Sequence, residues 1–285
     1  MTSLMHDGMQ VFEQDNDLVM LKQAMPAHIK LAEAMLSHSP KNRDLRILLA
    51  RLYGSYAFAF EETDMEAIRY NGKNKTSLAY RQLSTEEIKQ TLDQHFIKGA
   101  KYAKSVLILK YPNADKFLVN ITQREQFLSI LTPNDIPALF WYGFNLGGYV
   151  SHNFDSVRAL SMASQVEAVM QRVIDLSPDY YYGTAHLILM LSQAIRPPMM
   201  GGNLKMALDH YNELKSIAGE NYLLADVLYA RYCLPQRQDH KSFEEILKKA
   251  AATKVEDSTS LALFNQIAVR RARIYLNATD QFFTK

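Results

Sequence analysis

Eight histidines, one cysteine and a proline- and glycine-rich run with an arginine at its edge are the residues of this 285-residue chain best suited to chemistry. The histidines are His6, His28, His38, His95, His152, His186, His210 and His240. None is followed by another four positions on, the spacing that sets two imidazoles on one helix face for a metal. Cys233 is alone, which excludes an internal disulfide and any cysteine-based zinc cluster. Within Val227-Leu-Tyr-Ala-Arg-Tyr-Cys-Leu234 it reads as a small buried hydrophobe rather than a reactive thiol. The chain has no phosphate loop and no Gly-x-Ser-x-Gly turn. No catalytic residue, metal site or cofactor is expected.

Recognition remains. Arg196, just before Pro197-Pro198, can hold an anionic group or satisfy the carbonyls that end its helix. Met199-Met200 suit a soft groove lip or packing beneath a glycine turn, and Asn203 stands at the same edge as a helix cap. His186 reads as a hydrogen-bonded histidine of a core or groove. Trp141 and Tyr142, with Phe140, Tyr53 and Tyr56, read as core, or in part as the wall of a ligand cleft. Arg270, Arg271 and Arg273 cannot share one helix face; solvated or subunit-facing salt bridges suit them, with Arg270 the candidate for a partner groove.

Composition narrows the partners. Thirty-two Lys/Arg against thirty Asp/Glu leave +2, so no strong field calls for nucleic acid or an anionic membrane. No apolar run approaches the ~20 residues of a spanning helix. Met1–Asn16 has no signal-peptide hydrophobic region, which fits either a cytosolic protein or an exported one represented without its leader.

The elements that must position these residues are helices. Arg172–Asn203 sets the pattern: a helix ends at Leu176–Ser177 before Pro178, another begins at once around Asp179, Pro197-Pro198 stop it, Gly201-Gly202 turn the chain and Asn203 caps the next. Helical periods recur over 17–37, with Pro26 as a kink, and over 42–60. They recur again after the capping box Ser84-Thr-Glu-Glu87, and a weaker box, Thr122-Gln-Arg-Glu125, opens a short helix. Glycine and aromatics recur together in Tyr53–Phe60 and Ala138–Tyr149, as in helices that approach closely with rings in the gaps.

The second helix of a tetratricopeptide unit places small or apolar residues at offsets of four, then three, then five to a breaker. Val166/Met170/Val173/Pro178 and Ala207/Tyr211/Leu214/Gly219 fit; His28/Ala32/Met35/Pro40 and Phe243/Leu247/Ala250/Val255 are degraded; Ala100/Lys104/Leu107/Pro112 fails at Lys104. The expectation is an all-α, irregular tetratricopeptide-like array of helical hairpins with extra terminal helices. A loose lead-in covers 1–16, one domain 17–285, and a polar insertion about 61–84. An ordinary helical bundle is the alternative.

Several of these segments resemble the T component of tetratricopeptide-associated TRAP transporters, a family of periplasmic lipoproteins. They are the opening helix Asp17–Leu36, Pro137-Ala-Leu-Phe-Trp-Tyr-Gly143, Val169–Tyr180, Gly183-Thr-Ala-His186, Pro197-Pro-Met-Met-Gly-Gly-Asn203 and Arg270-Arg-Ala-Arg273. The resemblance implies a non-enzymatic homotrimer around a central pore. It would bind the transporter's substrate-binding subunit and pass on a small apolar or anionic ligand, touching the membrane only through a lipid anchor. This sequence begins without the family's signal peptide and lipobox cysteine, so export rests on the resemblance. A cytosolic scaffold that grips an extended peptide in its concave groove is the competing reading.

Overall fold

The computed structural model describes residues 9–71 and 84–283. Among them every regular element is helical. Thirteen α-helices follow in order: α1 (Leu18–His38), α2 (Arg43–Tyr56), α3 (Thr63–Asn71), α4 (Thr85–Lys110), α5 (Ala114–Val119), α6 (Ile121–Ser129), α7 (Ile136–Ser151), α8 (Val157–Leu176), α9 (Tyr180–Ile195), α10 (Leu204–Ala218), α11 (Leu223–Cys233), α12 (His240–Ala252) and α13 (Ala262–Leu276). The all-α expectation is met. From α7 to α13 each helix packs on the next, an order compatible with stacked tetratricopeptide-like hairpins. The inward positions Val166, Met170, Val173, Phe243, Leu247 and Ala250 are buried, whereas His28 of the degraded first frame is exposed.

Local signals placed most boundaries. Asp17 caps α1 through Val19 and Met20, Asn42 caps α2, and Ser84 with Glu87 forms the full capping box of α4. α1 runs unbroken through Pro26. The weaker box at Thr122 is not used; Asn120 accepts from Gln123 N and starts α6 two residues earlier.

The first half departs more from expectation. Residues 9–13 are helical, with Met9 and Glu13 buried, so the segment read as a loose lead-in is anchored from Met9 onward. The polar stretch read as an insertion begins as core. α2 widens into a π-helical turn (Ala57–Glu62) that runs straight into α3, and Glu61, Glu62, Thr63, Asp64 and Glu66 are all buried. The remainder of that stretch, 72–83, lies outside the described residues.

α2, α4 and α7 meet on one another, and glycines let them do so. A Cβ at Gly99 would sit 2.1 Å from the Asn145 side chain, and one at Gly54 2.8 Å from it. Asn145 fills that junction, donating to the Ala50 and Trp141 carbonyls at 3.0 and 2.7 Å. The expected pairing of small residues with close helix approach is what the packing shows.

Candidate functional site

Between α7, α9 and α11 the structure leaves an apolar cavity of about 810 Å³, counting the space at its open mouth. Its lining, mostly apolar with a few polar groups, is of the kind that small-molecule sites have. α9 supplies the longest wall, with Leu187, Ile188, Leu191 and Ile195 at helical spacing. The opposite wall is α7, through Phe144, Gly147, Gly148, Val150 and Ser151. A Cβ at Gly148 would come within 2.4 Å of the Phe96 ring, so α7 lies against α4 only because that position is bare.

The floor comes from the π-helical turn. It brings Phe58 and Glu62 to the cavity, and Glu62 is the one charged residue among the described residues that line it. π-helical turns interrupt α-helices mostly where a side chain must be re-aimed, frequently at functional sites. Glu62 Oε1 accepts from Arg271 Nη1 at 2.9 Å, and Oε2 lies 3.4 Å from His152 Nε2. Arg271 has no solvent exposure. It also donates to Thr63 Oγ1 at 3.0 Å and to the Phe58 carbonyl at 2.6 Å, and it lies 3.8 Å from Glu66. The Tyr275 hydroxyl donates to Glu66 at 2.6 Å.

The neighbouring acids are paired as well. Glu61 meets His95 at 2.8 Å, and Asp64 meets both Lys22 and Arg270. Four carboxylates within six residues are thus buried and each is engaged: by Lys22 of α1, by Arg270 and Arg271 of α13, and by the imidazoles of His95 on α4 and His152 beyond the end of α7. Buried charges persist only when paired and hydrogen-bonded in this way.

Burial alone would raise the Glu62 carboxyl, but Arg271 and then His152 outweigh it and hold the group at about 2. Its folded value therefore lies below the ordinary 4.5, so its contribution to stability is present above that value and is lost as pH falls towards 2. Urea unfolding across that window is expected to show a steep acid limb in the wild type and a shallower one in Glu62→Gln. Equal slopes would mean that Glu62 is not held ionised.

The structure scatters the residues singled out from sequence. Trp141 and Tyr142 are both buried core. Trp141 stacks edge-on with Phe140 and Tyr181, and Tyr142 Oη accepts from Gln165 at 2.7 Å. His186 is buried between α9 and α10, its Nδ1 3.1 Å from His210 Nδ1, and burial pushes both imidazoles below their usual range. At that distance a ring N–H of one imidazole can donate to the lone pair of the other. Arg196 does what a helix end needs. Its Nε donates to Ser192 O at 2.8 Å, and its Nη2 pairs with Glu167.

Met199 and Met200 are exposed on the turn after α9, outside the cavity, and Asn203 caps α10 through Lys205 and Met206. Arg270 is bound to Asp64. Arg271, read as a solvated or subunit-facing salt bridge, is instead fully buried, because four acceptors on the π-turn and α3 converge on it.

Two features escaped the sequence reading. The acidic run Glu61–Glu66 was legible only as polar, although its neighbour, the aromatic run Tyr53–Phe60, marked a buried context. The second is the start of α9. Tyr181, Tyr182 and Gly183 all have left-handed backbone (φ 51°, 60° and 71°), so right-handed helix begins at Thr184 and not beside Asp179. Tyrosine rarely adopts that geometry. Here the Tyr181 hydroxyl donates to Glu13, Arg51 pairs with the same carboxylate, and the Tyr181 ring packs on Phe140, Trp141 and Phe264. The signal was the triple tyrosine after Pro178-Asp179.

Cys233 is buried, as its context implied, and burial raises its thiol to about 12. It is expected to resist maleimide in the folded protein at neutral pH and to react fully in denaturant; rapid labelling without denaturant would show the assignment to be mistaken.

Helices closing on an apolar cavity, with a buried charge cluster at its floor, define an all-α protein. The chain belongs to the TRAP transporter T-component family (TAtT), which it matches over residues 14–283. That membership gives it an accessory role in TRAP transport. It is also similar to an uncharacterized protein of Treponema pallidum (strain Nichols), at 26% identity over 97% of this chain and 84% of that protein. No helix among the described residues is long and apolar enough to cross a membrane.

Proposed function

We propose that the protein is a periplasmic adaptor of a TRAP-type solute importer. It assembles as a homotrimer, binds the importer's substrate-binding subunit and receives a small ligand, predominantly apolar, in the cavity between α7, α9 and α11. It supplies no chemistry of its own; it holds and hands over. The observation that carries this reading is the cavity, lodged in a chain whose family match covers residues 14–283.

Arg196, the candidate for an anionic group, spends Nε on the Ser192 carbonyl and Nη2 on Glu167, so the proposal places the ligand in the apolar cavity instead. The test is direct. The purified protein is mixed at micromolar concentration with the substrate-binding subunit encoded beside it, and the complex is weighed by native mass spectrometry. A trimer carrying that subunit is the expected species. A monomer that ignores it would sink the proposal.

A further inference from the structure

We propose that the cavity selects an apolar molecule ending in a hydrogen-bond donor, a hydroxyl or an amine, over the same molecule ending in a carboxylate. This rests on reading the cavity as the ligand site and adds the chemistry of the ligand's polar end.

The walls fix most of the occupant. Leu187, Ile188, Leu191 and Ile195 of α9 line the cavity with Phe144 and Val150 of α7, and such a surface gains by covering hydrocarbon. The polar end is set by Glu62. An ionised carboxylate offers about four acceptor positions. In Glu62 one oxygen serves Arg271, and the other has only His152 at 3.4 Å. Glu62 therefore keeps acceptor capacity while lining a predominantly apolar cavity, where an unused lone pair is costly. A donor arriving from the cavity would use it.

The counter-cation cannot serve a ligand anion in the same place. Arg271 is absent from the cavity wall, has no solvent exposure, and spends its donors on Glu62, Thr63 and the Phe58 carbonyl. Glu62 and Glu66 both lean on this one guanidinium, so it has no free face to turn to a ligand anion. An incoming carboxylate would meet like charge in a low-dielectric pocket. Two phenols complete the end. Tyr232 lines the cavity, where burial and then the charges of nearby Glu66 and Glu62 raise its phenol above the ordinary value, so it remains a neutral hydroxyl able to orient a ligand hydroxyl, and Tyr222 lines the cavity beside Thr184. His152 is the further titratable neighbour of Glu62.

The experiment compares 1-octanol, octylamine and octanoate, one chain with three ends, against the full-length protein at neutral pH by isothermal titration calorimetry. Octanol and octylamine are expected to bind, with octanoate weaker by about tenfold or more, the penalty for placing like charges together in a partly desolvated site. Ile188→Trp, which fills the cavity from α9, is expected to abolish binding of all three. Glu62→Gln, if it folds, should remove most of the octylamine preference while keeping octanol. The wild-type series decides the matter even if that variant does not fold. Octanoate binding as tightly as octanol would overturn this inference and leave the cavity reading standing. Failure of all three probes, or their undiminished binding to Ile188→Trp, would overturn both.

Discussion

Gly202→Ala is expected to destabilise the protein by about 3 kcal/mol or more, one of the two largest effects a single substitution should have here. A Cβ at that position would stand 1.8 Å from the Arg196 carbonyl oxygen and 2.7 Å from its carbon. Those atoms belong to the backbone, so no rotamer change can relieve the overlap. The turn is also tied: Gly202 N donates to Pro197 O at 3.1 Å and Asn203 N to Gln193 O at 3.0 Å. Moving the chain to admit a methyl group would break these bonds and shift Asn203, the cap of α10.

Gly201→Ala is the control. Gly201 has left-handed backbone (φ 86°) but its added Cβ would lie 3.6 Å from the nearest atom, so only the conformational penalty of about 1–2 kcal/mol applies. Urea denaturation should therefore rank wild type above Gly201→Ala and Gly201→Ala above Gly202→Ala. If the two variants proved equal, the close approach of the turn to Arg196 would be refuted.

The second large effect concerns the charge cluster. Arg271→Met is expected to cost about 3–5 kcal/mol, the scale seen when one partner of a buried ion pair is removed. Methionine preserves much of the volume, so the loss is electrostatic. Glu62 loses its 2.9 Å partner, Glu66 its nearest cation, and the Phe58 carbonyl and Thr63 hydroxyl a donor each. Arg271→Lys should recover only part, because a single ammonium cannot reach acceptors that the planar guanidinium fork spans.

The diagnostic variant is the double one. Glu62→Gln in the Arg271→Met background should be less destabilising than additivity requires, since it removes the charge that was stranded. Strict additivity would mean that the two side chains do not interact. The site makes the effect functional as well, because the π-turn that Arg271 braces is the cavity floor.

The helical class, the grammar around Arg172–Asn203 and the caps at Asp17, Asn42, Ser84 and Asn203 were all present in the sequence. Each depends on contacts spanning a few residues: a proline that cannot donate, a side-chain oxygen within reach of a nearby N–H, a period of three or four. Gly54, Gly143 and Gly148 could be read as close-packing positions for the same reason, although not which side chain each would meet, whereas Gly99 could not. The family, too, was recognisable from short runs.

What the chain pattern could not disclose was where charge goes. Glu61, Glu62, Asp64 and Glu66 look like solvent-facing residues because polarity along a helix says nothing about partners some two hundred positions away, and Arg271 looks like one more surface cation. Only when α13 crosses the π-turn do these groups neutralise one another and become cheaper buried than apart. The residues chosen from sequence (Trp141, Tyr142, His186, Arg196) were chosen for their chemistry, and each proved to be engaged within the protein itself. The cavity is a space between α7, α9 and α11, bounded by ordinary leucines and isoleucines and by two glycines. Empty space is a property of how helices meet, and no stretch of sequence carries it.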